Sequence, residues 1–369
     1  MTLSDDQRHD AAPRSRLTLQ VRRDVTVDRV MFRLVAGRAA RPPDPALIAR
    51  IAGEVADAAD LFGRRGWLAD PASYHPTPPP PEGIRTRPTS SRGLKPTIIT
   101  WDDGYRCDPD EPGALRYAGY TANRIARAAV LEHRSGSRPW LVCIHGFGMG
   151  TPGIDLRGFR AAHLYRDLGL NLAFLTLPFH GRRRVERSAL PRFPGIDVLD
   201  NVHGLAQAVW DVRQLVLHLQ ERTDQPIGIA GMSLGGCVAA LVASLADVHA
   251  ALLLIPAVDL ATLMTDAAER RGLTPNVELA ERAQRVMLPV SPLALTPRVP
   301  VDRRVIVAGT LDQFVRPAAQ AVALLRHWDE PEVHWYHGGH VSLFWDRRAR
   351  AGIDASLRRI YSLEARGED

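Results

Sequence analysis

Apolar and polar positions follow two different rhythms along this chain, and the rhythm changes near residue 97. Upstream, Ile48, Ile51, Ala52, Val55, Ala58, Ala59 and Phe62 recur three and four residues apart, the spacing of a helix that buries one face. Asp44 can cap that helix, Pro45 suits its first turn and Gly63 follows its last apolar residue, so a helix is predicted between them. Nothing in the pattern identifies its packing partner. The stretch "HPTPPPPEGIRTRPTSSRG" comes next, and its proline and turn residues predict a linker or surface loop. Downstream, short apolar runs predict strands at "TIITW", "RIARAAVLEH" and "WLVCIHG", then at 171–178, 226–230, 250–256, 304–308 and 332–336. Helical patterns separate several of them, at 203–221, 234–246, 317–328 and 345–362. Runs that are continuous rather than alternating mark strands covered on both faces, as in a parallel sheet flanked by helices.

Composition adjusts this picture only slightly. The 369 residues are 45% hydrophobic, ample for a large core. The formal net charge is +6, but acids and bases are interspersed and Lys95 is the only lysine, so the excess does not mark a nucleic-acid surface. Cys107, Cys143 and Cys237 are odd in number and unpatterned, which predicts neither a disulfide framework nor a zinc site. The opening "MTLSDDQRHDAAPR" has no apolar signal core, and no apolar run is long enough to cross a membrane. These features predict a soluble, cytoplasmic protein.

Four stretches bear chemistry. In "GIAGMSLGGCVAA", Gly231-Met232-Ser233-Leu234-Gly235 joins a strand-like run to a helix-like one, the context of a nucleophile elbow. The glycines let strand and helix approach, while Leu234 contributes an amide at a helix N-terminus, where an oxyanion is favoured. In "LVCIHGFGMG", a strand ends at His145-Gly146, and the amide of Phe147 is the candidate second donor of an oxyanion hole. The same stretch, Gly148 to Gly153, also matches a dinucleotide-binding G-x-G-x-x-G. Pro152 inside the match and the absence of an acid ending the next strand argue against that reading. In "VIVAGTLDQFVRP", Asp312 follows a strand; in "HWYHGGHVSLFW", His340 follows two glycines after the last strand. The chain order Ser233, Asp312, His340 is that of one particular serine-hydrolase architecture.

On these residues, the chain from about 97 onward resembles the α/β-hydrolase superfamily: "HGFG", "GMSLGG", "GTLDQFVRP" and "GGH" each stand where that family's motifs stand. The resemblance implies an α/β fold with a mostly parallel, eight-stranded sheet and helices on both faces. It implies Ser233 as nucleophile, His340 as base and Asp312 as the acid orienting it, with no metal and no organic cofactor. Asp259, in "LLIPAVDL", occupies an alternative position for the acid. Residues 1–95 fall outside the resemblance and are read as a helical extension and linker that pack on a catalytic domain from 96 to 369.

Two stretches are candidates to select the substrate. The stretch 261–298 holds two amphipathic helix patterns, and in this family an insert there forms a cap over the site. Leu263, Met264, Val286 and Met287 are candidates for an acyl pocket or for plain packing. Arg182, Arg183 and Arg184 in "PFHGRRRVER" are candidates to grip an anionic substrate, or to form a solvated loop. The expected partner is a small-molecule ester or thioester, cleaved through an acyl-enzyme. An acyltransferase using the same triad and a non-catalytic binding scaffold are the alternatives.

Overall fold

A computed structural model of the chain describes residues 26–28, 44–134, 136–185, 191–269 and 276–363. The expectations at 1–25, 29–43, 186–187 and 270–275 lie outside the described residues.

The eight predicted strands form, and a ninth joins them. In chain order they are β1 Arg85–Pro88, β2 Thr97–Asp102, β3 Ile125–Leu131, β4 Trp140–Ile144, β5 Asn171–Leu175, β6 Ile227–Met232, β7 Ala251–Leu254, β8 Arg304–Gly309 and β9 Glu332–Tyr336. The sheet runs β1-β2-β3-β5-β4-β6-β7-β8-β9. β1, β2, β3 and β5 pair antiparallel in turn, and every pairing from β5 through β9 is parallel. The extra strand, β1, lies in the proline-rich stretch expected to be only linker or loop. All four of its residues are exposed, so burial leaves no imprint on its sequence, and its Pro88 is tolerable because the strand is an edge.

The continuous apolar runs have a simple cause. Trp140, Val142 and Ile144 of β4 enter one core, whereas Leu141 and Cys143 enter the other. Each face of the central strands therefore meets a hydrophobic layer. One layer includes residues of α1 (Pro45–Arg64), α3 (Val198–Gln220) and α4 (Leu234–Leu245). The other includes α2 (Pro152–Gly158) and α7 (Arg347–Tyr361).

Helix α1 starts as predicted: the Asp44 carboxylate accepts a hydrogen bond from the Ala46 amide at 3.0 Å, with Pro45 next. Its end differs. Gly63 lies within the helix, and the chain turns off at Gly66, whose φ of +78° suits glycine. Ile51, Val55, Ala58, Leu61 and Phe62 are buried. They identify the missing partner, because α1 lies against α3 and against α6 (Val277–Val286), the second helix of the insert. α5 (Leu260–Glu269) is the insert's first helix. Both amphipathic patterns in the insert thus correspond to helices. Among the described residues, no helix is long and apolar enough to cross a membrane.

Candidate active site

Ser233 stands on the turn between β6 and α4 with φ +53° and ψ −113°, a conformation non-glycine residues rarely adopt and one that stores strain. The surrounding glycines make the turn possible. A methyl at Gly231 would stand 2.0 Å from the Gly235 carbonyl oxygen, and one at Gly235 would stand 2.0 Å from that of Ile144. Helix α4 can therefore sit directly on β4 and β6. Ser233 is held by its own amide, which donates to the Leu254 carbonyl at 2.9 Å.

His340 and Asp312 arrive from the ends of β9 and β8. His340 Nε2 lies 3.1 Å from Ser233 Oγ, and His340 Nδ1 lies 2.6 Å from Asp312 Oδ2. The other carboxylate oxygen, Oδ1, accepts from the amides of Phe314 and Val315 at 2.9 and 2.8 Å. Asp312 is 4% exposed, while the His340 side chain keeps 15% of its surface in contact with solvent. Burial opposes the imidazolium, but the Asp312 charge and hydrogen bond, with the Asp28 charge behind them, hold the pKa of His340 above the ordinary histidine value. The Phe314 ring lies against the imidazole with centroids 5.3 Å apart.

The candidate anion donors belong to residues next to Ser233 or to its neighbours. A Cβ placed on Gly146 would approach the Ser233 Cβ to 3.4 Å, and Phe147 is the next residue along. The Leu234 amide opens α4. Neither amide has a backbone acceptor among the described residues. The loop at 145–150 is anchored from behind by His145, which is buried and neutral. The Leu177 amide donates to its Nε2 at 3.0 Å, leaving Nδ1 to donate to the Gly146 carbonyl at 2.8 Å. Burial pushes the pKa of this histidine down to about 4.

A family model described as "Alpha/beta hydrolase domain containing 18" matches residues 121–269. Two Mycobacterium tuberculosis proteins align over 365 residues. One, "Uncharacterized protein MT2702" of strain CDC 1551 / Oshkosh, is 39% identical, with 97% of this chain and 87% of that protein covered. The other, "Uncharacterized protein Rv2627c" of strain H37Rv, is 38% identical with the same coverage. The chain belongs to the α/β-hydrolase superfamily. Acetyl xylan esterase 1 from Thermoanaerobacterium sp. JW/SL YS485 shares the α/β-hydrolase fold, with a TM-score of 0.56 and 14% identity over 80% of this chain and 93% of that one. An acetyl xylan esterase from Paenibacillus sp. R4 shares it at a TM-score of 0.53 and 17% identity, over 83% and 94%.

Other sequence candidates fall elsewhere in the α/β-hydrolase fold. Asp259 does not meet His340; its carboxylate accepts from the Thr262 amide and hydroxyl at 2.9 and 2.6 Å, a cap at the start of α5. Arg183 is 1% exposed and bonds Asp211, Asp103 and the carbonyls of Thr176 and Asn123, so it is closed to a substrate. Arg182 is exposed and Arg184 half-buried. Within Gly148–Gly153, the Gly150 amide donates to the buried Asp155 carboxylate at 2.9 Å. That amide faces inward, away from any phosphate. Val286 and Met287 are buried in the core, and Leu263 and Met264 pack partly buried against it.

One neighbour of the site left no signal in the sequence. The amides of His340 and Val341 donate to Asp28, from the N-terminal extension, at 2.7 and 3.1 Å. Gly339 makes room for this contact: a Cβ there would stand 2.2 Å from Asp28 Oδ2.

Proposed function

We propose that the protein is a serine hydrolase that cleaves a carboxylic ester or thioester through an acyl-enzyme. The observation that carries this reading is the unbroken relay from Ser233 Oγ through both nitrogens of His340 to Asp312, at 3.1 and 2.6 Å. A serine hydroxyl is a weak nucleophile until a base takes its proton, and an imidazole is a competent base only in the correct tautomer. Asp312 holds the proton on Nδ1, leaving Nε2 free to accept.

In the first step Ser233 Oγ attacks the acyl carbon while His340 Nε2 takes the hydroxyl proton. The carbonyl π pair moves to oxygen, and the amides of Phe147 and Leu234 receive the negative charge. Collapse of this intermediate breaks the bond to the alcohol or thiol, which leaves with the proton from His340. Water then attacks the acyl-serine with His340 again as base, releasing the acid and restoring Ser233. The amide donors matter because charge develops on that oxygen only in the transition state; each is worth roughly 100- to 1000-fold in rate. No step calls for a metal or organic cofactor. Three free thiols, two of them buried, suit a reducing compartment, and we assign the reaction to the cytoplasm.

A fluorophosphonate probe tests the reading. Intact mass should show one adduct on wild type and none on Ser233→Ala. An unlabelled wild type, or equal labelling of the variant, would overturn it.

A further inference from the structure

The turn Val341–Phe344 begins immediately after His340, and the amides at such a start have no acceptor within the turn. The residue at the cap normally supplies one from its own side chain. Here that residue is His340, and its imidazole is turned toward Asp312 and Ser233. Asp28 supplies the cap instead, from 312 residues upstream. Its Oδ2 accepts from the His340 amide at 2.7 Å and its Oδ1 from Val341 at 3.1 Å. Oδ2 also receives the Gln313 amide more loosely, at 3.4 Å, and Gln313 adjoins Asp312. One carboxylate thus touches both loops that carry the imidazole and its acid.

Asp28 is fully buried, where a carboxylate is costly unless several donors compensate it. Gly339 leaves the space it occupies. Besides the backbone amides, the charged or titratable groups facing it among the described residues are Asp312, His340 and the Tyr336 phenol, whose hydroxyl donates to the Gly339 carbonyl at 2.8 Å.

We propose that Asp28 is a positioning residue of the hydrolase site, pinning the His340 loop to the Asp312 loop and placing a second negative charge behind the imidazole. The inference rests on the serine-hydrolase reading for its effect on rate. Its geometric content does not depend on that reading. The N-terminal extension then completes the site rather than merely covering the domain. Asn in place of Asp28 keeps the size but removes the charge and one acceptor, so an NH2 group opposes an amide. The imidazole loses both its fixed register and part of the field that favours its protonation.

The test uses the full chain with Asp28→Asn, Asp28→Ala and Asp28→Glu. For Asp28→Asn, kcat on an aryl ester and the rate of fluorophosphonate labelling should fall roughly 10- to 100-fold with KM within about twofold. The acidic limb of kcat/KM should move to lower pH, because His340 loses a favourable negative charge. Asp28→Glu should recover part of the rate. Nitrogen-15 NMR of the imidazole provides a second reading without catalysis: His340 should titrate at lower pH in Asp28→Asn than in wild type. If Asp28→Ala fails to fold, the Asn variant carries the test. An unlabelled wild type would remove the proposed reaction and leave Asp28 to be judged by the titration alone. An unchanged His340 titration in Asp28→Asn would overturn the positioning role whatever the labelling.

Discussion

Two clusters in this fold set a pair of carboxyl groups around one basic residue, and they serve opposite ends. In the first, Arg183 reaches Asp211 and Asp103, the latter at 3.2 Å, and Gln207 donates to Asp103 at 2.7 Å. Arg183 is 1% exposed and Asp211 is fully buried. In the second, Asp312 meets the His340 ring while Asp28 accepts from its backbone amide, with Ser233 on the other side of the ring. A guanidinium keeps its charge at any working pH and offers five donors in a fixed plane, so the first cluster is a permanent staple between the 176–183 turn and α3. Imidazole gains and loses its proton near neutrality. In the proposed reaction, Asp312 at the ring and Asp28 at its backbone therefore tune a base instead of locking a joint. The centre and its access make the difference: a sealed arginine gives a structural joint, whereas a partly exposed histidine is open to the proton transfer proposed for it.

The comparison can be broken from either side. The largest effect should come from Asp312→Asn, which leaves the site's shape but offers His340 the wrong tautomer. Its kcat should fall about 10⁴-fold with the melting temperature little changed, while Asp259→Ala, losing only the α5 cap, should keep its rate. A comparable rate loss in Asp259→Ala would reverse the assignment of the acid.

Next in size, Arg183→Met strands two buried carboxyls and should cost about 3–5 kcal/mol of stability in urea unfolding. Any surviving folded enzyme should keep its KM. A selective rise in KM with stability intact would instead return Arg183 to the substrate.

The smallest expected effect is one of pH, and it distinguishes the clusters most sharply. His340 has a folded pKa above the ordinary 6.5. Its ion pair with Asp312 therefore contributes stability that is complete below 6.5 and lost as pH rises through the folded value. Activity needs the neutral base and should rise through that same value. The stability gap between wild type and His340→Gln should narrow from pH 6 to 9, as kcat/KM climbs. A gap that widened with pH would contradict the direction assigned to His340.

The hydrolase scaffold was legible because its constraints are local. Central strands covered on both faces must be apolar throughout, so β4 to β8 announced themselves. The Gly231-x-Ser233-x-Gly235 elbow was legible because a methyl at either glycine would collide with backbone. β1 escaped notice because an exposed edge strand buries nothing. Arg183 was placed on a candidate anion-binding loop, since a run of three arginines carries no mark of which one turns inward.

The sequence by itself determined the layered fold, the elbow and the order of Ser233, Asp312 and His340, because each depends on neighbours within a few residues or on strand-end position. Only the tertiary structure decided which arginine is buried and that Asp28 caps the histidine turn. Those choices are made by contacts between segments as much as 313 residues apart. A hydrogen bond across that distance imposes no period and no spacing on the chain; it asks only for a carboxylate at one end and, at the other, a glycine small enough to admit it.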